Sequence, residues 1–251
     1  MQNENLYNYI LGVADNSLIL GQRMGELCGH GPSLETDIAC TNISLDLFGQ
    51  VRSYFQYAAE VSGGEKTEDD IAFLRREREY KNVLLVEQPN INFAYTIVRQ
   101  FLFDVYHLLF LEQLQNSSDE TLAVIAKKSI KEVSYHERFS SDWVIRLGDG
   151  TEESRQKIQE AVDVLWTYTD ELFHQTDSDK EMVKAGVAVD VTQLKEAYYK
   201  KVNIVLKEAT IQVPESKWFQ KGGKKGVHTE HLGYLLADMQ YMQRTYPGME
   251  W

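Results

Sequence analysis

The stretch NINFAYTIVRQFLFDVYHLLFLEQLQ, residues 90–115, decides the fold. It is apolar on nearly every face for about seven turns, and a helix of that kind lies at the centre of a bundle. Asn90 or Asn92 supplies its N-cap, and it runs to about Gln115. Prolines stand only at Pro32, Pro89, Pro214 and Pro247, so nothing breaks helices between 90 and 213.

Outward from that centre, Leu6, Ile10, Val13, Ser17, Leu20, Met24 and Leu27 step by four and three, an almost purely apolar helical stripe that stops at Gly29–Pro32. Ser33 caps a second helix, to about Val61, which Gly63 and Gly64 end. Thr67 and Asp70 form a capping box that opens a short charged helix to about Tyr80. KNVLLVEQPN, residues 81–90, is apolar enough for a strand but has no second strand to pair with, so it reads as a buried connector. Ser117 with Glu120 makes another capping box. The helix it opens carries Leu122, Ile125, Ser129, Glu132, His136, Phe139 and Trp143 on one face and ends at Gly148–Gly150. Thr151 starts the next, with Ile158, Ala161, Leu165, Thr169 and Leu172 inward. A loop at 175–178, a short turn, a helix from Val191 to Ala209, a long connection over 210–228 and a last helix from Thr229 to Tyr246 complete the chain. The pattern predicts an all-α antiparallel long-helix bundle with additional C-terminal helices, one domain over 1–251.

Two cysteines, Cys28 and Cys40, with no CxxC, suit a reducing compartment, and MQNENLYNYI has no basic-then-apolar leader pattern, so a cytoplasmic protein is expected. The greasiest run, Phe101–Leu111, is interrupted by Asp104 and His107 and is too short for a membrane span. A net charge of −12 argues against nucleic acid as a partner.

Long-helix bundles house paired metals when two helices each give a carboxylate and two others each give Glu-x-x-His. Asp104 and His107 have that spacing, and so do Glu171 and His174, at the end of a helix. Glu132 lies four before His136, with Tyr135 where a histidine is needed, and Leu47 and Gln50 stand where another Glu and His could. The count is deficient. Asp104, His107, Glu132 and His136 are expected to form a mutually satisfied buried polar network, with Lys128 and Lys131 replacing the charge of a cation. The rival reading is an active di-iron oxygenase using these four and Glu171. A ferritin-like storage protein would need acidic ferroxidase ligands that are not visible.

Three basic or histidine-bearing motifs remain. RREREYKN, 75–82, reads as a solvated face or as an anion site in which arginine forks grip phosphates and Tyr80 stacks on a ring. GGKKG, 222–226, lacks the P-loop spacing and reads as a flexible basic loop for an acidic partner. His228 and His231 have chelating spacing but no further ligands, and Thr229 capping with Glu230 accounts for the segment.

The strings LGQRMGELCGHGPSLETDIACTNISLDLFGQ (20–50), LLVEQPNINFAYTIVRQF (84–101), IKEVSYHERFS (130–140) and GGKKGVHTEHLG (222–233) resemble the C-subunit family of the bacterial phenylacetyl-CoA ring-1,2-epoxidases. The resemblance spans almost the whole chain. It implies a ferritin-like fold, a place in aerobic phenylacetate breakdown and a non-catalytic structural role beside a catalytic A subunit. That partner holds the di-iron centre, and a separate reductase draws on NADPH. The resemblance implies no metal and no catalytic residue in this chain. It also implies contact with the CoA thioester at Glu79, Tyr80, Lys81 and Asn82 and at Lys180, Glu181 and Met182.

Overall fold

The computed structural model describes residues 2–64, 66–216 and 218–249, and among these the regular elements are helices alone. Two long hairpins make the centre: α1 (Gln2–Gly25) lies along α2 (Leu34–Val61), and α4 (Phe93–Leu114) along α5 (Glu120–Gly148). α2 also meets α5, which joins the hairpins into a ferritin-like four-helix core. α6 (Glu152–Leu165) and α8 (Lys195–Glu208) pack on α4 and α5, α7 (Asp177–Lys184) on α1, and α9 (Glu230–Thr245) on the short α3 (Glu68–Phe73).

Every residue of α4 from Thr96 to Leu111 is buried, as its all-round apolar sequence requires. Each large apolar side chain removed from water there contributes roughly 1.5–3 kcal/mol. Of the two candidate caps, Asn92 does the capping: its Oδ1 accepts the N–H of Tyr95 at 3.1 Å. Asn90 instead donates to the Arg23 carbonyl and accepts from Arg99 and Thr96. Ser33 caps α2 as expected, accepting from the N–H of Thr36.

Four local expectations are corrected. The helix opened by Thr67 ends at Phe73, not Tyr80, because Arg75 donates back to the Ile71 carbonyl and turns inward; a 3₁₀ turn, Glu77–Glu79, follows. Asp119 rather than Ser117 caps α5, taking the N–H of Leu122 at 3.0 Å, while the Ser117 hydroxyl donates to the Val187 carbonyl. The helix opened by Thr151 stops at Leu165 and continues as 3₁₀ turns, where the Thr169 hydroxyl competes for the Trp166 carbonyl. The expected short turn after Ser178 is α7, with a capping box between Thr176 and Asp179.

The connector over 81–90 is buried without a strand partner, so its backbone groups are paired by side chains. Asp15 takes the N–H of Lys81, Asn16 that of Val83 and Glu171 that of Leu84. Arg23 donates to the Glu87 carbonyl, and Arg99 to that of Gln88. No helix of the described residues is long and apolar enough to cross a membrane.

Candidate functional site

The bundle centre lies between α2, α4 and α5. Asp104 is fully buried on α4; its Oδ1 accepts from Gln100 Nε2 at 2.7 Å and its Oδ2 from the Ser140 hydroxyl at 2.9 Å. Burial pushes its carboxyl up to about 7, against the pull of His136, Ser140 and Gln100. His136, fully buried on α5, donates from Nε2 to Asp46 at 3.0 Å. Glu132 accepts from Gln50 at 3.2 Å. Burial, with a smaller contribution from His136, lowers His107 to about 3 and keeps it neutral.

These contacts correct the expected network. None of Asp104, His107, Glu132 and His136 hydrogen-bonds another of the four among the described residues; each is matched, where it is matched at all, to a residue outside the ligand-spaced set. Lys128 and Lys131 are exposed and reach neither carboxylate, so they replace no cation. Glu171 lies elsewhere, its carboxylate closed by the N–H groups of Leu84 and Gly222, both at 2.7 Å. His174 pairs with Asp170, not with Glu171.

Paired iron needs four carboxylates and two imidazoles converging from four helices. Among the described residues no group of three or more His, Cys, Asp and Glu side chains converges as a metal cage. The orphaned buried atoms here include amide oxygens of Gln50 and Gln100 and Nδ1 of His107 and His136, a thin and mostly neutral set. The residues present do not fit a di-iron group.

The second place is the connector and what covers it. Arg75 is buried and grips Asp15 with both terminal nitrogens, and its guanidinium lies 4.2 Å from the Tyr80 ring centroid. The Tyr80 hydroxyl donates to the Ala72 carbonyl. Arg75 and Tyr80 are therefore closed to an external phosphate or ring, which corrects the anion-site alternative for those two. Asn82 is fully buried and donates to Glu87 at 3.0 Å. Glu79 is exposed and accepts the N–H of Arg76, and Lys81 is half-buried. On α7, Lys180 and Glu181 are exposed, whereas Met182 is buried.

GGKKG is not a free loop. A Cβ at Gly223 would stand 2.1 Å from the Asn82 carbonyl oxygen, and one at Gly226, where φ is +75°, 2.2 Å from that of Arg78. Lys224 donates to the carbonyls of Leu172 and His174, and burial lowers its pKa against the pull of Asp179 and Glu171. Only Lys225 of the pair is exposed. His228 is no zinc ligand: Nδ1 donates to Glu87 at 3.0 Å and Nε2 to the Tyr80 carbonyl at 3.1 Å. Thr229 does not cap α9 with its hydroxyl, which is buried without a partner; its N–H donates to Glu87. Lys81 and the start of α7 border one cavity of about 240 Å³ between α1, α4 and α7, which Lys224 also lines.

The model of the family described as phenylacetic acid catabolic protein matches residues 1–251. The chain is also 50% identical over 243 residues to the C subunit of the 1,2-phenylacetyl-CoA epoxidase of Escherichia coli (strain K12), covering 97% of this chain and 98% of that protein. The chain belongs to the phenylacetic acid catabolic protein family.

For this member of the phenylacetic acid catabolic proteins, the resemblance read from four sequence strings is thereby shown. What the strings left out are the residues that close the site. Gln100 could have been found, since it stands four before Asp104 on one helix face. Ser140 and Asp46 carry no such local signal, because they meet Asp104 and His136 only through tertiary packing.

Proposed function

We propose that this chain is a non-catalytic structural subunit of a multicomponent di-iron phenylacetyl-CoA 1,2-epoxidase of aerobic phenylacetate breakdown, pairing in the cytoplasm with the catalytic A subunit. The observation that carries this is the bundle centre, where Asp104 is committed to Gln100 and Ser140 and Leu47 and Gln50 occupy the positions of a Glu-x-x-His pair. The Escherichia coli relative, named for its place in such an epoxidase, supports the assembly. In this reading the di-iron group sits in the partner, NADPH serves a separate reductase, and this chain contributes packing surface.

Leu34, Ile38 and Leu45 stand 72%, 51% and 61% exposed on the outer face of α2, a set of large apolar groups that an obligate interface would cover. The CoA thioester contact is proposed at Glu79 and Lys81 with Lys180 and Glu181, whose side chains reach the surface or the cavity mouth. Tyr80, Asn82 and Met182 contribute by holding those segments in place.

Association stabilises both chains by mass action. Mixing the purified chain with its A-subunit partner is expected to give a complex that melts above either chain alone, and Ile38→Glu is expected to weaken it. Separate migration with no thermal shift would defeat the proposal.

A further inference from the structure

The cavity between α1, α4 and α7 takes no part in the proposed assembly except at its rim. Its apolar lining comes from Tyr9, Val13, Phe103, Tyr106, Phe110 and Val189. At about 240 Å³ it exceeds the roughly 150 Å³ that accommodates benzene in an engineered apolar cavity, leaving room for a ring with a short polar substituent. One buried polar group in the lining is unmatched: His107 is 3% exposed, packs on Phe103 at 5.2 Å between centroids, and makes no hydrogen bond among the described residues.

The charges at the rim differ in how far they are committed. Asp177 pairs with Lys180, and Asp179 accepts the N–H of Thr176. The Lys224 amine is held by two carbonyls. The Lys81 amine has no hydrogen bond or ion pair among the described residues, its backbone N–H alone being tied to Asp15. The cavity therefore offers an aromatic interior, one unmatched imidazole and one uncommitted cation.

We propose that this cavity binds a small aromatic carboxylate as the free acid, its ring among Phe103, Tyr106 and Phe110 and its carboxylate toward Lys81. The proposal does not depend on the epoxidase reading, because it concerns the chain without partners.

Calorimetric titration of the purified full chain with phenylacetate tests it, beside hexanoate, CoA and phenylacetyl-CoA. Phenylacetate is expected to saturate one site per chain with a Kd of about 0.1–1 mM, and hexanoate to bind about tenfold more weakly or worse. A Cβ at Gly12, which lines the cavity, meets nothing within 4 Å, so Gly12→Leu should fold while blocking the space. That variant, and Lys81→Met as a second that leaves the interior untouched, should each weaken binding about tenfold or more. Three results would each overturn the proposal: no saturable phenylacetate binding by about 10 mM, equal binding of hexanoate, or unchanged binding by both variants. Binding of phenylacetyl-CoA that the free acid cannot displace would also overturn it, since the occupant would then be the thioester.

Discussion

His228 Nδ1 lies 3.0 Å from Glu87 Oε2 with both side chains fully buried, and the other ring nitrogen faces the Tyr80 carbonyl. Two acceptors at the two ring nitrogens require both to carry protons, so His228 is an imidazolium. Burial alone would lower its pKa; the Glu87 carboxylate and the Tyr80 carbonyl outweigh that and raise it above 6.5. The folded value is the higher one, so this stabilisation is complete below pH 6.5 and is lost as pH rises through the folded pKa.

His228→Gln is therefore expected to cost about 3 kcal/mol at pH 6, because Glu87 stays buried without its cation. The deficit should shrink in alkaline solution. Urea unfolding of parent and variant from pH 6 to 9 checks both.

Asp104 has the opposite sign. Its carboxyl is raised from 3.8 to about 7 by burial, so between those values the folded chain holds a proton that the unfolded chain has released. Stability contributed by this group falls as pH rises across that window. Asp104→Asn is expected to remove the dependence and to be more stable than the parent at pH 8 by about 1–3 kcal/mol. Unfolding at pH 5 and pH 8 measures the difference.

Arg75 illustrates where local sequence stops being informative. The caps at Ser33 and Asn92, the centrality of 93–114 and the unpaired connector were legible, because each follows from local spacing or from an all-round apolar helix. RREREYKN offered no local sign that its first arginine turns inward, since its partner Asp15 lies 60 residues away on α1. Glu171 and Lys224 were opaque for the same reason: each is buried to satisfy backbone groups of another segment. At the candidate metal position, the deficit of donors was readable from residue types, whereas the partners that close Asp104 and His136 required the packed bundle.

Arg75→Met is expected to cost about 3–5 kcal/mol, since it strands the buried Asp15 carboxylate. Arg75→Lys should recover only part of this, because an ammonium cannot reproduce the two-pronged grip. Thermal unfolding of the three proteins orders them.

Gly226→Ala places a Cβ against the Arg78 carbonyl at positive φ, so the 222–229 segment should lift from the connector. A loss of about 2 kcal/mol is expected. Faster proteolysis between 210 and 228 than in the parent would report the local opening.

Iron analysis of the purified full chain, alone and after reconstitution with ferrous iron, tests most directly the claim that this bundle is a partner rather than a di-iron enzyme. The account predicts iron well below one per chain, unchanged by Asp104→Asn, with iron appearing only when the A subunit is present. Two irons per isolated chain, lost on Asp104→Asn or Glu132→Gln, would contradict it.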